Sequence, residues 1–198
     1  MKYPNKKYIL PFLLISIFII MSACSGEKTY EGDLDLEIED FSFENQDGDT
    51  VSKSDLDGQF WVADFIFTNC TSVCPPMTSN KASLQKLLKE EGLEDEVKLI
   101  SFSVDPDRDT PEALKEYGET RGIEFTNVDF LTGYEYDDIV DFSLDSFMSA
   151  LSEEPDTDQI NHTVSFFIVA PNGKAITRFD GTTHENMQEI VDYIKEKK

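Results

Sequence analysis

Hydrophobic positions fall into short, near-continuous apolar runs separated by helical stretches. Phe60-Trp61-Val62-Ala63-Asp64-Phe65-Ile66-Phe67 is almost wholly apolar, which suits a strand buried on both faces. Val97 to Val104 and Val164 to Ala170 read the same way, and Phe125 to Phe130 as a shorter strand. Between them, Leu84, Leu87 and Leu88 share one face of a helix that opens at Pro75-Pro76 and stops at Gly92. Thr110-Pro111-Glu112 supplies an N-cap, a first-turn proline and an acid, opening a helix to about Arg121. Tyr136 to Leu151 and His184 to Lys195 complete the helices. Ile38 to Phe43 with Asp47-Gly48 and Thr50-Val51 predicts a small hairpin. Asn172-Gly173 predicts a two-residue turn into a strand from Lys174 to Phe179.

Strands alternating with helices and closed by an antiparallel hairpin imply an α/β fold, a central mixed β-sheet flanked by helices with an N-terminal β-hairpin. With two cysteines in the turn after the first central strand, the pattern resembles the thioredoxin-like fold.

The first residues belong to a different pattern. Lys2, Lys6 and Lys7 precede an apolar run, Ile9 to Met21, that is too short for a membrane span and fits the core of an export signal. Met21-Ser22-Ala23-Cys24 follows and resembles a lipobox, in which Cys24 would be lipidated and become the new N-terminus. The expected organisation is a lipoprotein signal peptide over 1–23, a lipidated acidic tether over 24–37 and a domain over 38–198, on the outer face of the cell membrane.

Charge narrows the choice of partner. Among 198 residues, 40 are acidic and 17 basic, for a net charge of −23, or −26 without the three leader lysines. That field repels nucleic-acid backbones and excludes a basic membrane-surface helix in the domain. An aromatic content of 12% supplies bulky side chains for a core. Of three cysteines, Cys24 is assigned to lipid, which leaves Cys70 and Cys74 as a pair.

Cys70-Thr71-Ser72-Val73-Cys74-Pro75-Pro76 lies between a strand end and a helix start, where amides and the helix dipole favour thiolate. Four readings compete. A structural disulfide would close so short a loop that it adds little stability. A zinc site lacks a second cysteine pair. A thiol–disulfide oxidoreductase normally has two residues between its cysteines, not three. Two thiolates suit soft Cu(I), and an added imidazole would also accept Cu(II). Two histidines are available. His162 precedes the strand at 164–170, in the loop that in thioredoxin-like folds faces the cysteine turn; His184 sits beside Glu185 and reads as a surface residue. Met77 reads as helix packing rather than as a thioether ligand.

Three separated segments then carry a family resemblance: Phe67-Thr68-Asn69-Cys70 with Val73-Cys74-Pro75; Ser103-Val104-Asp105-Pro106-Asp107-Arg108-Asp109-Thr110-Pro111; and His162-Thr163 with Pro171-Asn172-Gly173. Together they resemble the Sco/SenC copper chaperones, exported thioredoxin-fold proteins that assist assembly of the copper A centre of cytochrome c oxidase. The resemblance implies copper as the bound metal, Cys70, Cys74 and His162 as its ligands, Asp105 near the site, and the copper A subunit as partner. Its alternative is an extracytoplasmic oxidoreductase that uses the redox-active pair Cys70 and Cys74 to keep the oxidase cysteines reduced. Asn161 and Asn172 replace the aspartates many relatives carry there.

Overall fold

The computed structural model describes residues 29–198; the expected leader over 1–23 and Cys24 lie outside the described residues. Ten strands and four helices follow in chain order. They are β1 (Leu36–Glu37), β2 (Ser42–Asn45), β3 (Thr50–Ser52), β4 (Phe60–Ile66), α1 (Cys74–Glu90), β5 (Val97–Ser103), α2 (Pro111–Glu119), β6 (Val128–Thr132), α3 (Tyr136–Phe147), β7 (Ser152–Glu153), β8 (Ile160–Asn161), β9 (Ser165–Val169), β10 (Lys174–Asp180) and α4 (Asn186–Lys197). Eight strands form one sheet in the order β1-β10-β9-β4-β5-β6-β2-β3, and β7 pairs with β8 apart from it.

The sheet is mixed because β4, β5 and β6 run parallel while β9 pairs antiparallel to β4. All seven residues of β4 are buried, as a strand covered on both faces requires. One of its faces turns Trp61 and Phe65 towards α3, where Phe142 and Phe147 of that helix and Phe102 of β5 complete an aromatic cluster with ring centroids 4.9 to 6.5 Å apart. The other turns Asp64 towards α1, which packs with α4 and reaches α2 through a hydrogen bond between Thr78 Oγ1 and Tyr117 Oη, 3.2 Å apart. Each fully buried aromatic contributes roughly 1.5–3 kcal/mol, against about 0–1 kcal/mol for a surface ion pair. The core therefore dominates stability, and the acidic exterior contributes little.

The elements differ from the sequence reading at several points. β6 starts at Val128 rather than Phe125, because the backbone still turns over 125–127, with Thr126 N–H closing on Glu124 O at 2.8 Å; the Phe125 ring packs edge-on against Phe130, at 5.3 Å. α3 ends at Phe147, where Met148 adopts a left-handed conformation (φ 51°) and its N–H closes on the Leu144 carbonyl. The turn into β10 holds three residues, since Ala170 pairs with Lys174 around Pro171-Asn172-Gly173, and Gly173 takes the positive φ of 78° that such a bulged hairpin needs. The acidic stretch after α3 contains the β7–β8 pairing. Residues placed in the tether are also engaged: β1 pairs with β10, Leu34 N–H donates to Ile176 O, and Tyr30 meets Phe60 edge-on.

Among the described residues no helix is long and apolar enough to cross a membrane.

Candidate metal centre

The parallel strands β4 and β5 end on the same edge of the sheet, and the loops that follow them build the site from two sides. After β4, residues 67–73 turn back on themselves, with Cys70 N–H donating to Phe67 O at 3.3 Å. The base of this turn is fixed by Asp109, a fully buried carboxylate beyond β5. It accepts from Thr68 N–H (3.1 and 3.2 Å), Thr68 Oγ1 (2.6 Å) and Ser103 Oγ (2.6 Å).

Helix α1 starts at Cys74 with Pro75 and Pro76 in its first turn, where the missing N–H groups would have no intrahelical acceptor. Val73 at the N-cap has no side chain able to cap. The Cys74 N–H instead points at Cys70 Sγ, 3.4 Å away, so a sulfur occupies the place that a Ser or Asp oxygen takes at other helix starts.

Both cysteines are free and buried. The Cys70 thiol is pushed down to about 3, foremost by the Cys74 thiol beside it; burial opposes this, and the Cys74 and Ser72 amides assist. Cys74 is driven the opposite way, first by the Cys70 sulfur beside it, then by burial, with the Asp64 charge adding to it.

His162 lies just beyond β8. Its Nδ1 is 2.8 Å from the carbonyl of Thr163, and since a carbonyl only accepts, Nδ1 carries the proton. Nε2 is left with its lone pair, 3.3 Å from Cys74 Sγ. The Phe67 ring stands edge-on to the imidazole at 5.8 Å and limits its swing. A pocket of about 420 Å³ opens here, lined by Phe67, Cys70, Val73, Gln159, His162 and Val164 among others. Two sulfurs and one unprotonated imidazole nitrogen are a donor set for a soft ion. They do not yet enclose a point: among the described residues no three His, Cys, Asp or Glu side chains form a finished cage.

The other candidates lie elsewhere. Asp105 is buried at the end of β5, but its carboxylate accepts from Arg108 Nε at 2.6 Å and lines a neighbouring groove of about 720 Å³ rather than the pocket at the sulfurs. His184 is exposed and bonds through Nδ1 to Asn80 Oδ1 (3.1 Å), outside that pocket. Met77 is fully buried, its methyl against Gly181.

Sequence reasoning missed three groups. Asp109 sits inside the Ser103–Pro111 block that carries the family resemblance, yet nothing in the pattern tells a locking carboxylate from a turn residue. Gln159 accepts from Thr71 N–H (3.3 Å) and donates to Asn69 O (3.1 Å), a contact no local signal marks. Lys81 is buried among the Phe130 and Phe166 rings and hydrogen-bonds Asp64 and Ser101. Asp64 Oδ2 has no partner. Asp64 within an apolar strand and Lys81 on the helix that covers it were the available hint.

The SCO1/SenC family description matches residues 31–197. The chain belongs to the SCO1/SenC family. It is 42% identical over 179 residues to the SCO1 protein homolog of Bacillus subtilis, covering 90% of this chain and 91% of that one. A SCO1/SenC family lipoprotein from Bacillus anthracis superposes with a TM-score of 0.78 at 43% identity, over 83% of this chain and 96% of that chain. BsSco, a member of the Sco family of cytochrome c oxidase assembly proteins in which a disulfide switch was identified, gives 0.76 at 42%, over 85% and 97%. At 22% identity, ScoI of Bradyrhizobium japonicum, solved with copper bound, shares the fold (TM-score 0.67, 82% of this chain and 99% of that one). The thioredoxin-like α/β fold read from the sequence is the fold of these SCO1/SenC neighbours.

Proposed function

We propose that this chain is a membrane-anchored copper chaperone for cytochrome c oxidase, holding copper through Cys70, Cys74 and His162 and passing it to the copper A subunit. The observation that carries the reading is the imidazole: Nδ1–H is committed to a carbonyl, and the free Nε2 lone pair faces Cys74 at 3.3 Å. A simple disulfide exchanger has no use for that arrangement. Copper is the cargo here, and the Cys70 thiolate is ready for it while Cys74 must still give up its proton. Oxidation of the pair to a disulfide by an external two-electron acceptor takes two electrons and the one proton still on Cys74 and withdraws both sulfur ligands, so the same cysteines gate loading. Asp105, held by Arg108, acts outside the ligand set in this reading. The proposed organisation is a signal peptide over 1–23, lipid on Cys24, an acidic segment over 24–37 whose residues from Tyr30 onward dock on the domain, and the copper domain over 38–198, on the outer face of the membrane. The Bacillus anthracis relative, itself a lipoprotein, supports the anchor.

A second reading is favoured by the depressed Cys70 thiol beside a protonated Cys74, the pairing of an attacking and a resolving sulfur. In it the chain reduces the oxidase's copper-site cysteines. Titrating the reduced protein with Cu(I) and Cu(II) without oxygen separates the two. The chaperone reading expects one copper per chain and a sulfur-to-Cu(II) charge-transfer band that is lost in His162→Ala. Parent-like binding of both oxidation states by that variant, with disulfide exchange still fast, would install the oxidoreductase in its place. The mass of the membrane-extracted protein tests the lipid, and an unmodified Cys24 removes the anchor.

A further inference from the structure

We propose that Gln159 is a positioning residue of the copper site, its side-chain amide bridging the backbone on both sides of Cys70 and so holding the cysteine turn in register with the segment that carries His162. This rests on the copper reading above. The Asn69 carbonyl and the Thr71 N–H flank Cys70, and the Gln159 amide meets the first with its NH₂ (3.1 Å) and the second with its oxygen (3.3 Å). A contact at two points fixes orientation as well as distance, much as a neighbouring strand would. Gln159 stands three residues before His162, with the buried Ile160 between them anchoring the chain. The Gln159 side chain therefore ties the backbone around Cys70 to the segment that carries the imidazole. Glutamate keeps the acceptor and loses the donor, methionine keeps the length and loses both, and asparagine is one methylene short. Asn69 and Thr71 are exposed, so water takes over their backbone groups when the amide is removed. The cost then falls on the geometry of the site and not on the fold.

The test compares Gln159→Met and Gln159→Glu with the parent and with His162→Ala. In the reduced, metal-free protein, amide exchange at Thr71 is expected to quicken about tenfold in Gln159→Met, the loss of roughly one net hydrogen bond, while the unfolding midpoint stays at the parent value. With Cu(II), that variant still binds one copper, but its charge-transfer band shifts and the metal passes to a competing chelator about tenfold faster. Gln159→Glu falls between, because Thr71 keeps its acceptor. Parent-like Thr71 exchange in Gln159→Met overturns the proposal, and so does a parent-like band and transfer rate once exchange has risen. A band that survives in His162→Ala defeats the copper reading by itself, and Thr71 exchange still decides whether Gln159 holds the turn.

Discussion

The two halves of the site are built to different standards. The cysteine half rests on buried groups: Asp109 beneath Thr68, helix α1 starting at Cys74, and the Lys81–Asp64 pair between α1 and β4. The histidine half hangs from the β7–β8 hairpin, whose residues 152–158 are all exposed. That hairpin is held by the Gln159 amide and by Arg108, whose guanidinium donates to Asp158 O at 3.4 Å and pairs with its carboxylate at 3.5 Å. The difference teaches that the sulfurs are fixed by the fold, whereas the imidazole is brought to them by contacts that water can replace. A centre in which Cys74 and His162 stand at hydrogen-bond distance must spread to admit an ion, and the hairpin is the side able to yield.

Breaking the cysteine half should cost most where charge is buried. Asp64→Ala leaves the Lys81 ammonium without its carboxylate among aromatic rings and is expected to lose about 3–5 kcal/mol, read from the shift in urea midpoint. The double change Asp64→Ala with Lys81→Met should recover most of that loss. A double variant no better than the single would show that the pair is not what holds α1 to β4.

Asp109→Ala comes next. It strips acceptors from an N–H and two hydroxyls at the base of the turn, for a loss of about 2–3 kcal/mol in the same measurement. Its pH dependence sharpens the point. Burial holds the Asp109 carboxyl above its ordinary value of 3.8, with hydrogen bonds from Ser103 and Thr68 opposing. A carboxyl raised on folding contributes stability that is complete below its unfolded value and is lost as pH rises through the folded one. Asp109→Asn cannot ionise, so its stability should stay flatter than the parent's as pH rises from about 3. A parent-like slope would place the titrating group elsewhere.

The smallest expected effect lies on the histidine half. Arg108 is 46% exposed, and Arg108→Ala should cost no more than about 1 kcal/mol in global stability. Amide exchange in residues 153–160 should nevertheless rise while the 67–74 turn keeps its protection, except at Thr71, whose acceptor is on Gln159. Equal loosening of both segments would erase the contrast between them.

How much of this was legible in the sequence follows the same division. β4 was visible because a strand covered on both faces has to be written in apolar residues, and α1 because prolines and a leucine stripe mark its start and its face. The cysteine turn could be placed from those two elements alone. β1 and the β7–β8 pairing were not visible, since pieces of two residues are too short to carry a period, and their partners are distant in sequence. His162 was placed by its position before an apolar strand. Its tautomer came only with the Thr163 carbonyl, and Asp105's engagement with Arg108 only with the loop geometry. Gln159 left no trace, because a side chain that bonds two backbone groups 88 and 90 residues away obeys no local rule.

The sulfur that closes the N-terminus of α1 gives that helix a second meaning. Its opening amide is satisfied only while lone pairs on Cys70 remain turned towards it. Whatever draws them off, another atom bonded to the sulfur or a change in its charge, sends that N–H looking for a new acceptor. The 17-residue rod behind it, anchored at its core by Lys81, then registers at one end a chemical event on a sulfur that lies outside it.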